Sequence, residues 1–152
     1  MNTQQIDEKL RRNETTNEYF IGVYAADQLP ATKISQDVWL LVCNCCPIDL
    51  PGEHWIALFG NARQEIDVFD SFGFPPNAYD GVHQFLRVQQ PALITYNTQQ
   101  LQSFDSDAYG HYCLYFARYR SQGVPMNAIV DNIVDGMTRD NYIKCMVGNV
   151  LY

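Results

Sequence analysis

The sequence predicts an α+β protein, with a mixed sheet packed on one central helix. Two observations carry that expectation. A continuously apolar run, Val38-Trp39-Leu40-Leu41-Val42-Cys43, has the pattern of a strand buried on both faces. Strand-like segments gather in the first half of the chain and helical ones in the second, rather than alternating as in a βαβ array. Size and composition agree. The chain has 152 residues, of which 47% are hydrophobic and 18% charged, enough for one domain spanning residues 1–152 with a substantial core.

The elements follow in order. Residues 3–12 read as a short helix, with Thr3 as its cap and Ile6 and Leu10 one turn apart on one face. Lys9, Arg11 and Arg12 then form a solvated basic face. Asn13 to Asn17 is a polar link, and Glu18 to Tyr24 an extended segment. Val38 to Cys46 is a strand ended by Pro47 and Pro51-Gly52. Residues 54–59 and 65–70 form two strands joined through Gly60 to Gln64, a length that suits a hairpin. Ala78 to Val88 is a helix with Val82, Phe85 and Leu86 inward. Leu93 to Tyr96 is a short strand. Tyr109 to Arg120 is the central helix, with Ser106 and Asp107 supplying cap chemistry and Gly123 and Pro125 ending it. Ala128 to Val134 and Tyr142 to Leu151 are terminal helices.

Charge excludes one class of function. A net charge of −7 opposes binding to a phosphate backbone, so no nucleic-acid partner is expected. No apolar run approaches the roughly 20 residues of a membrane span, and the polar start Met1-Asn2-Thr3-Gln4-Gln5 does not read as a signal peptide. Both point to an intracellular protein without a membrane partner. Its five cysteines are expected to be reduced. Cys43, Cys45 and Cys46 lack the spacing of a zinc site, so no metal or cofactor is expected. They read as core or strand-end residues, with His83 and His111 as helix-surface and helix-turn residues.

Three positions could act together. A hairpin centred near Ala62 sets His54 opposite Asp70, where a carboxylate can hold an imidazole in one tautomer. The start of the central helix, at Tyr109, gathers partial positive charge and unpaired N–H groups, a setting that favours a thiolate nucleophile. Gln102, seven positions upstream, could aim its amide at an oxyanion together with the backbone N–H of residue 109.

The residues Tyr19-Phe20-Ile21-Gly22-Val23-Tyr24, Gly52-Glu53-His54-Trp55, Val68-Phe69-Asp70-Ser71-Phe72-Gly73-Phe74, Gln102 and Asp107-Ala108-Tyr109-Gly110-His111-Tyr112-Cys113 resemble, in this order, the adenovirus protease (adenain) family. That family is related to the Ulp/SENP proteases of ubiquitin-like modifiers. The resemblance spans Tyr19 to Gly123. It implies an α+β peptidase fold, His54 as general base, Asp70 as its orienting carboxylate and Gln102 as an oxyanion donor. It also implies that Trp55 walls a narrow substrate cleft and that Gly110 borders it. The family's Cys-Gly falls on Tyr109-Gly110, so the nucleophile is replaced by a phenol, which holds its proton more tightly and is longer than a thiol. The implied function is a thiol peptidase relative that has lost activity. Its partner is a peptide or protein with small, Gly-type residues, ubiquitin-like or viral, met in cytoplasm, nucleus or virion. Two alternatives stand beside it: an active peptidase using Cys113, and a non-catalytic binding or structural module.

Overall fold

The computed structural model describes residues 1–49, 54–133 and 139–151. Five strands form a mixed sheet in the order β1 (Phe20–Ala25), β2 (Trp39–Asn44), β3 (Trp55–Gly60), β4 (Glu65–Asp70) and β5 (Leu93–Tyr96). The outer pairs β1–β2 and β4–β5 are parallel, and the inner pairs are antiparallel. The α+β expectation therefore holds. The separation of strands from helices is incomplete, however: α1 (Thr3–Arg12) precedes the sheet and α2 (Asp80–Gln89) interrupts it.

Strand alternation gives each sheet face its own core. Leu40, Val42, Trp55, Ala57, Phe59 and Phe69 point to one side. There they meet α3 (Tyr109–Ser121), together with α1, α4 (Met126–Asp131) and α5 (Arg139–Met146). Trp39, Leu41, Cys43, Ile56, Leu58, Ile66 and Val68 point to the other side, where Val82, Phe85 and Leu86 of α2 cover them. The expected inner face of α2 is thus the observed one. β2 is buried on both faces, as its unbroken apolar run predicts. Helix α3 is buried almost all round because it lies between the sheet and the other helices.

Several local expectations shift. Asn2, not Thr3, caps α1: its side chain accepts from Gln5 N–H at 2.9 Å, and Gln5 accepts from Asn2 N–H at 3.0 Å. Earlier capping is favoured because Asn and Gln together satisfy two orphan donors. The basic residues of α1 do lie on a solvated face, with Arg11 paired to Asp7 and Arg12 near Glu8. A 3-10 turn, Pro76–Ala78, precedes α2, which begins at Asp80 rather than Ala78. The helix expected over 128–134 is α4, two residues earlier, since Pro125 pre-sets the turn before it. The helix expected over 142–151 begins at Arg139 and relaxes into a π-helical turn, Val147–Leu151. Pro51, Gly52, Glu53 and Val134 lie outside the described residues.

The β3–β4 hairpin carries the most consequential shift. Ile56, not His54, pairs with Asp70, so the register differs by two residues from one centred near Ala62. Asn61 closes the turn through bonds to Arg63 and Glu65 amides, and Gln64 takes a positive φ of 60°. A two-residue slip leaves every side chain on its expected face. His54 lies just before β3, its carbonyl accepting from Cys45 N–H at 2.9 Å.

Candidate active site

The site sits where the C-terminal end of β4 meets the start of α3. Asp70 ends β4 and turns the chain. Its carboxylate accepts from Phe72 N–H at 2.8 Å and Phe74 N–H at 3.2 Å. The turn then passes through Gly73 at φ +76°. A Cβ there would lie 2.8 Å from the Gln99 backbone, so glycine lets loop 97–102 press against the turn. Asn97 fastens that contact: it accepts from Asp70 N–H at 2.9 Å and donates to Asp70 O at 2.6 Å.

Two further donors reach the same carboxylate. His54 Nε2 lies 2.7 Å from Asp70 Oδ1, and Tyr79 O–H donates to Oδ2 at 2.7 Å. Burial and then the bond to Asp70 push the Tyr79 phenol pKa upward, so it stays a donor. The carboxylate is 1% exposed as a residue and His54 8%. With Nε2–H donated to Asp70, the His54 Nδ1 lone pair is left as the basic atom. That Nδ1 is buried with no hydrogen-bond partner among the described residues. The His54 ring stacks on Phe72 at 4.6 Å and meets the Tyr109 ring edge-on at 5.8 Å and 82°.

Tyr109 opens α3. The residue before it, Ala108, makes no side-chain cap, so the expected capping by Ser106 and Asp107 is not what forms. Ser106 Oγ accepts from Ala108 N–H at 3.2 Å instead, and Asp107 pairs with Lys144 at 2.5 Å. His111 N–H donates to Ala108 O at 2.8 Å, which leaves the Tyr109 and Gly110 amides at the site end of the helix.

Gln102 is 1% exposed and held at both ends of its amide. Ser71 Oγ donates to Oε1 at 2.7 Å, and Nε2 donates to Ser106 O at 2.7 Å. The other Nε2 proton has no partner among the described residues. Trp55 is buried on the α3 side of the sheet and lines a cavity of about 170 Å³ with Thr3, Val23, Asn44 and Ile48. Gly110 faces away from His54: a Cβ there would meet Met1 and Ile6 at 3.2 and 3.3 Å. Cys113, one turn into α3, is buried in the core, where burial pushes its thiol well above the ordinary range. Burial likewise pushes Cys43 up to about 12. His111, buried enough to hide its Nδ1, is pushed down to about 4 by desolvation, with the Lys144 ammonium adding to the effect. Among the described residues no His, Cys, Asp and Glu cluster is arranged to hold a metal ion.

The structure thus brings His54, Asp70 and Tyr109 together, with Gln102 joined to the same turn through Ser71. Sequence reasoning missed Tyr79, Asn97 and Phe72. Only Phe72 had a local signal, as a neighbour of Asp70 in the turn.

No family model matches the chain, and no curated protein matches it. Solved structures do. The crystal structure of the ASFV pS273R protease superposes with a TM-score of 0.64 at 19% identity, covering all of this chain and 67% of that one. A selenomethionine form of the same protease gives a TM-score of 0.49 at 21% identity over 76% of this chain and 44% of that one. The central domain of the uncharacterized Lpg1148 protein from Legionella pneumophila gives 0.48 at 14% identity, over 85% and 83%.

Proposed function

We propose that the chain is a single-domain relative of the adenain and Ulp/SENP cysteine peptidases that binds peptide segments without cleaving them. Its α+β fold is one that the ASFV pS273R protease shares, and no helix among the described residues is long and apolar enough to cross a membrane. One observation carries the reading. His54 is held through Nε2 by Asp70 and leaves Nδ1 without a partner among the described residues, and the ring across from it belongs to Tyr109, at the helix start where a nucleophile would stand.

The proposed roles are those the family resemblance implies, and the bond between His54 and Asp70 supports them. His54 is the base, Asp70 its orienting carboxylate, and Gln102 with the residue 109 amide the oxyanion donors. Trp55, next to His54 in the chain, borders a different cavity with Thr3, Val23 and Asn44. Gly110 contributes through the backbone alone, since its Cα packs under Met1 and Ile6. Tyr109 offers a phenol where acyl transfer needs a thiolate, and its ring occupies the space beside the base. Cys and Tyr codons differ by one base, so loss of the thiol needs a single change. The partner is an extended peptide with small, Gly-type residues, from a viral or ubiquitin-like protein, encountered inside the cell or a virion. The rival reading, an active peptidase using Cys113, requires a thiolate in a fully buried position that disfavours charge.

The test is Tyr109→Cys. Peptide mapping after iodoacetamide treatment should show position 109 modified about tenfold faster than exposed Cys145, with the advantage kept at pH 6 and removed by adding His54→Ala. A folded variant that reacts at position 109 no faster than Cys145 would show that base and seat are not assembled. Cleavage of a Gly-rich reporter by the unaltered chain, or its labelling at Cys113, would overturn the loss of activity.

A further inference from the structure

Helix α5 grips the Gln102 loop on both sides of Gln102. Arg139 Nη1 donates to the carbonyls of Gln100 at 2.9 Å and Leu101 at 3.2 Å. Asp140 Oδ1 accepts from Tyr112 O–H at 2.8 Å, and the same hydroxyl lies 3.0 Å from Leu101 O. Asp140 Oδ2 faces Ser103 N–H at 3.4 Å. Lys144 then holds Asp107, two residues before α3. Residues 100, 101, 103 and 107 are all anchored to one helix or to Tyr112, which that helix also binds. Gln102 is the buried residue they enclose.

These contacts meet neither His54 nor Asp70. What they fix is the path of the loop, and therefore where the other Gln102 Nε2 proton points relative to the amide of residue 109. A misplacement of such a donor by about 1 Å is enough to lose most of its effect on a developing oxyanion.

We infer that Arg139 and Asp140 are positioning residues, setting the Gln102 amide while leaving the His54–Asp70 pair untouched. The inference rests on the peptidase-like reading of the site for its consequence, but the positioning itself is a property of the unaltered chain. Buried Tyr112 makes it two-sided. Burial, then the Asp140 bond, pushes its phenol pKa upward, so it stays a donor that couples α3 to α5.

Two measurements test it. In the unaltered chain, Asp140→Ala should speed hydrogen exchange of the amides in segment 100–107 about tenfold, with Leu114 to Ala117 inside α3 unchanged. Asp140→Asn, which keeps an acceptor for Tyr112, should recover part of the protection. In the Tyr109→Cys background, Asp140→Ala should weaken binding of a peptide aldehyde about tenfold, because its hemithioacetal needs the oxyanion donors. Iodoacetamide alkylation at position 109, which needs none, should stay within about twofold. Unchanged exchange at 100–107, or equal acceleration inside α3, overturns the inference. So does a parallel loss of aldehyde binding and alkylation. If Tyr109→Cys reacts with neither reagent, the peptidase-like reading fails, and the exchange experiment alone still decides the positioning.

Discussion

The two halves of the candidate site are built differently. On the sheet side, the Asp70 carboxylate takes described donors from His54, Phe72, Phe74 and Tyr79, and its backbone is bound twice by Asn97. The group that holds His54 is also the group that makes the turn. On the helix side, Tyr109 is half-buried, its hydroxyl has no partner among the described residues, and no side chain caps the turn it begins. Removing the acid would dismantle a piece of the fold, whereas replacing the residue at 109 disturbs little. On the proposed peptidase-like reading, this difference is a physical reason for Asp70 and His54 to be retained for stability while position 109 is free to vary.

The comparison can be broken most directly at Asp70. Asp70→Ala strands an imidazole, a phenol and two amides in a buried setting, and should cost about 4 kcal/mol in chemical denaturation. A cost below about 1 kcal/mol would mean that water or a local shift replaces the carboxylate, and the sheet side would lose its claim to rigidity.

The second prediction concerns acid. Folding lowers the His111 pKa from its ordinary 6.5 to about 4, so between these values the unfolded chain binds a proton that the folded one refuses. Stability should therefore fall as pH drops from 6.5 toward 4 and level off below. The loss should be about 1 kcal/mol once solvent screening at this partly exposed residue is allowed for. His111→Gln should flatten that part of a melting-temperature profile. An unchanged slope would place the acid sensitivity elsewhere, in the carboxylates.

The smallest effect is expected at the helix side itself. Tyr109→Phe should shift stability by no more than about 0.5 kcal/mol, since its hydroxyl satisfies nothing the fold needs. A larger loss would show that the phenol has taken on a structural duty, and the contrast between the halves would narrow.

Much of the site was legible in the sequence, for reasons that differ by residue. Asp70 could be placed at a strand end because the turn residues after it are local signals. His54 was matched to it through an assumed register that is off by two. The pairing survives because a slip of two keeps the face, and because His54, ahead of β3, reaches diagonally to the carboxylate. Gln102 was found by its place before the helix. Its actual bonds, to Ser71 and Ser106, come from the close approach at Gly73, which no spacing rule reveals. Tyr79 and Asn97 carry no local mark of their role, since each reaches Asp70 from a different element.

The sequence by itself determined the strands, the inward faces of α1 and α2, and the place of Tyr109 at the start of α3. Those follow from periodicity and turn chemistry, which act over a few residues. Tertiary structure alone decided the hairpin register, which face of Gly110 is closed, and how α5 reaches the Gln102 loop. Each of these depends on how distant segments share one small volume. Burial likewise makes Cys113 a core thiol, because α3 packs it into the cluster between the sheet and the other helices.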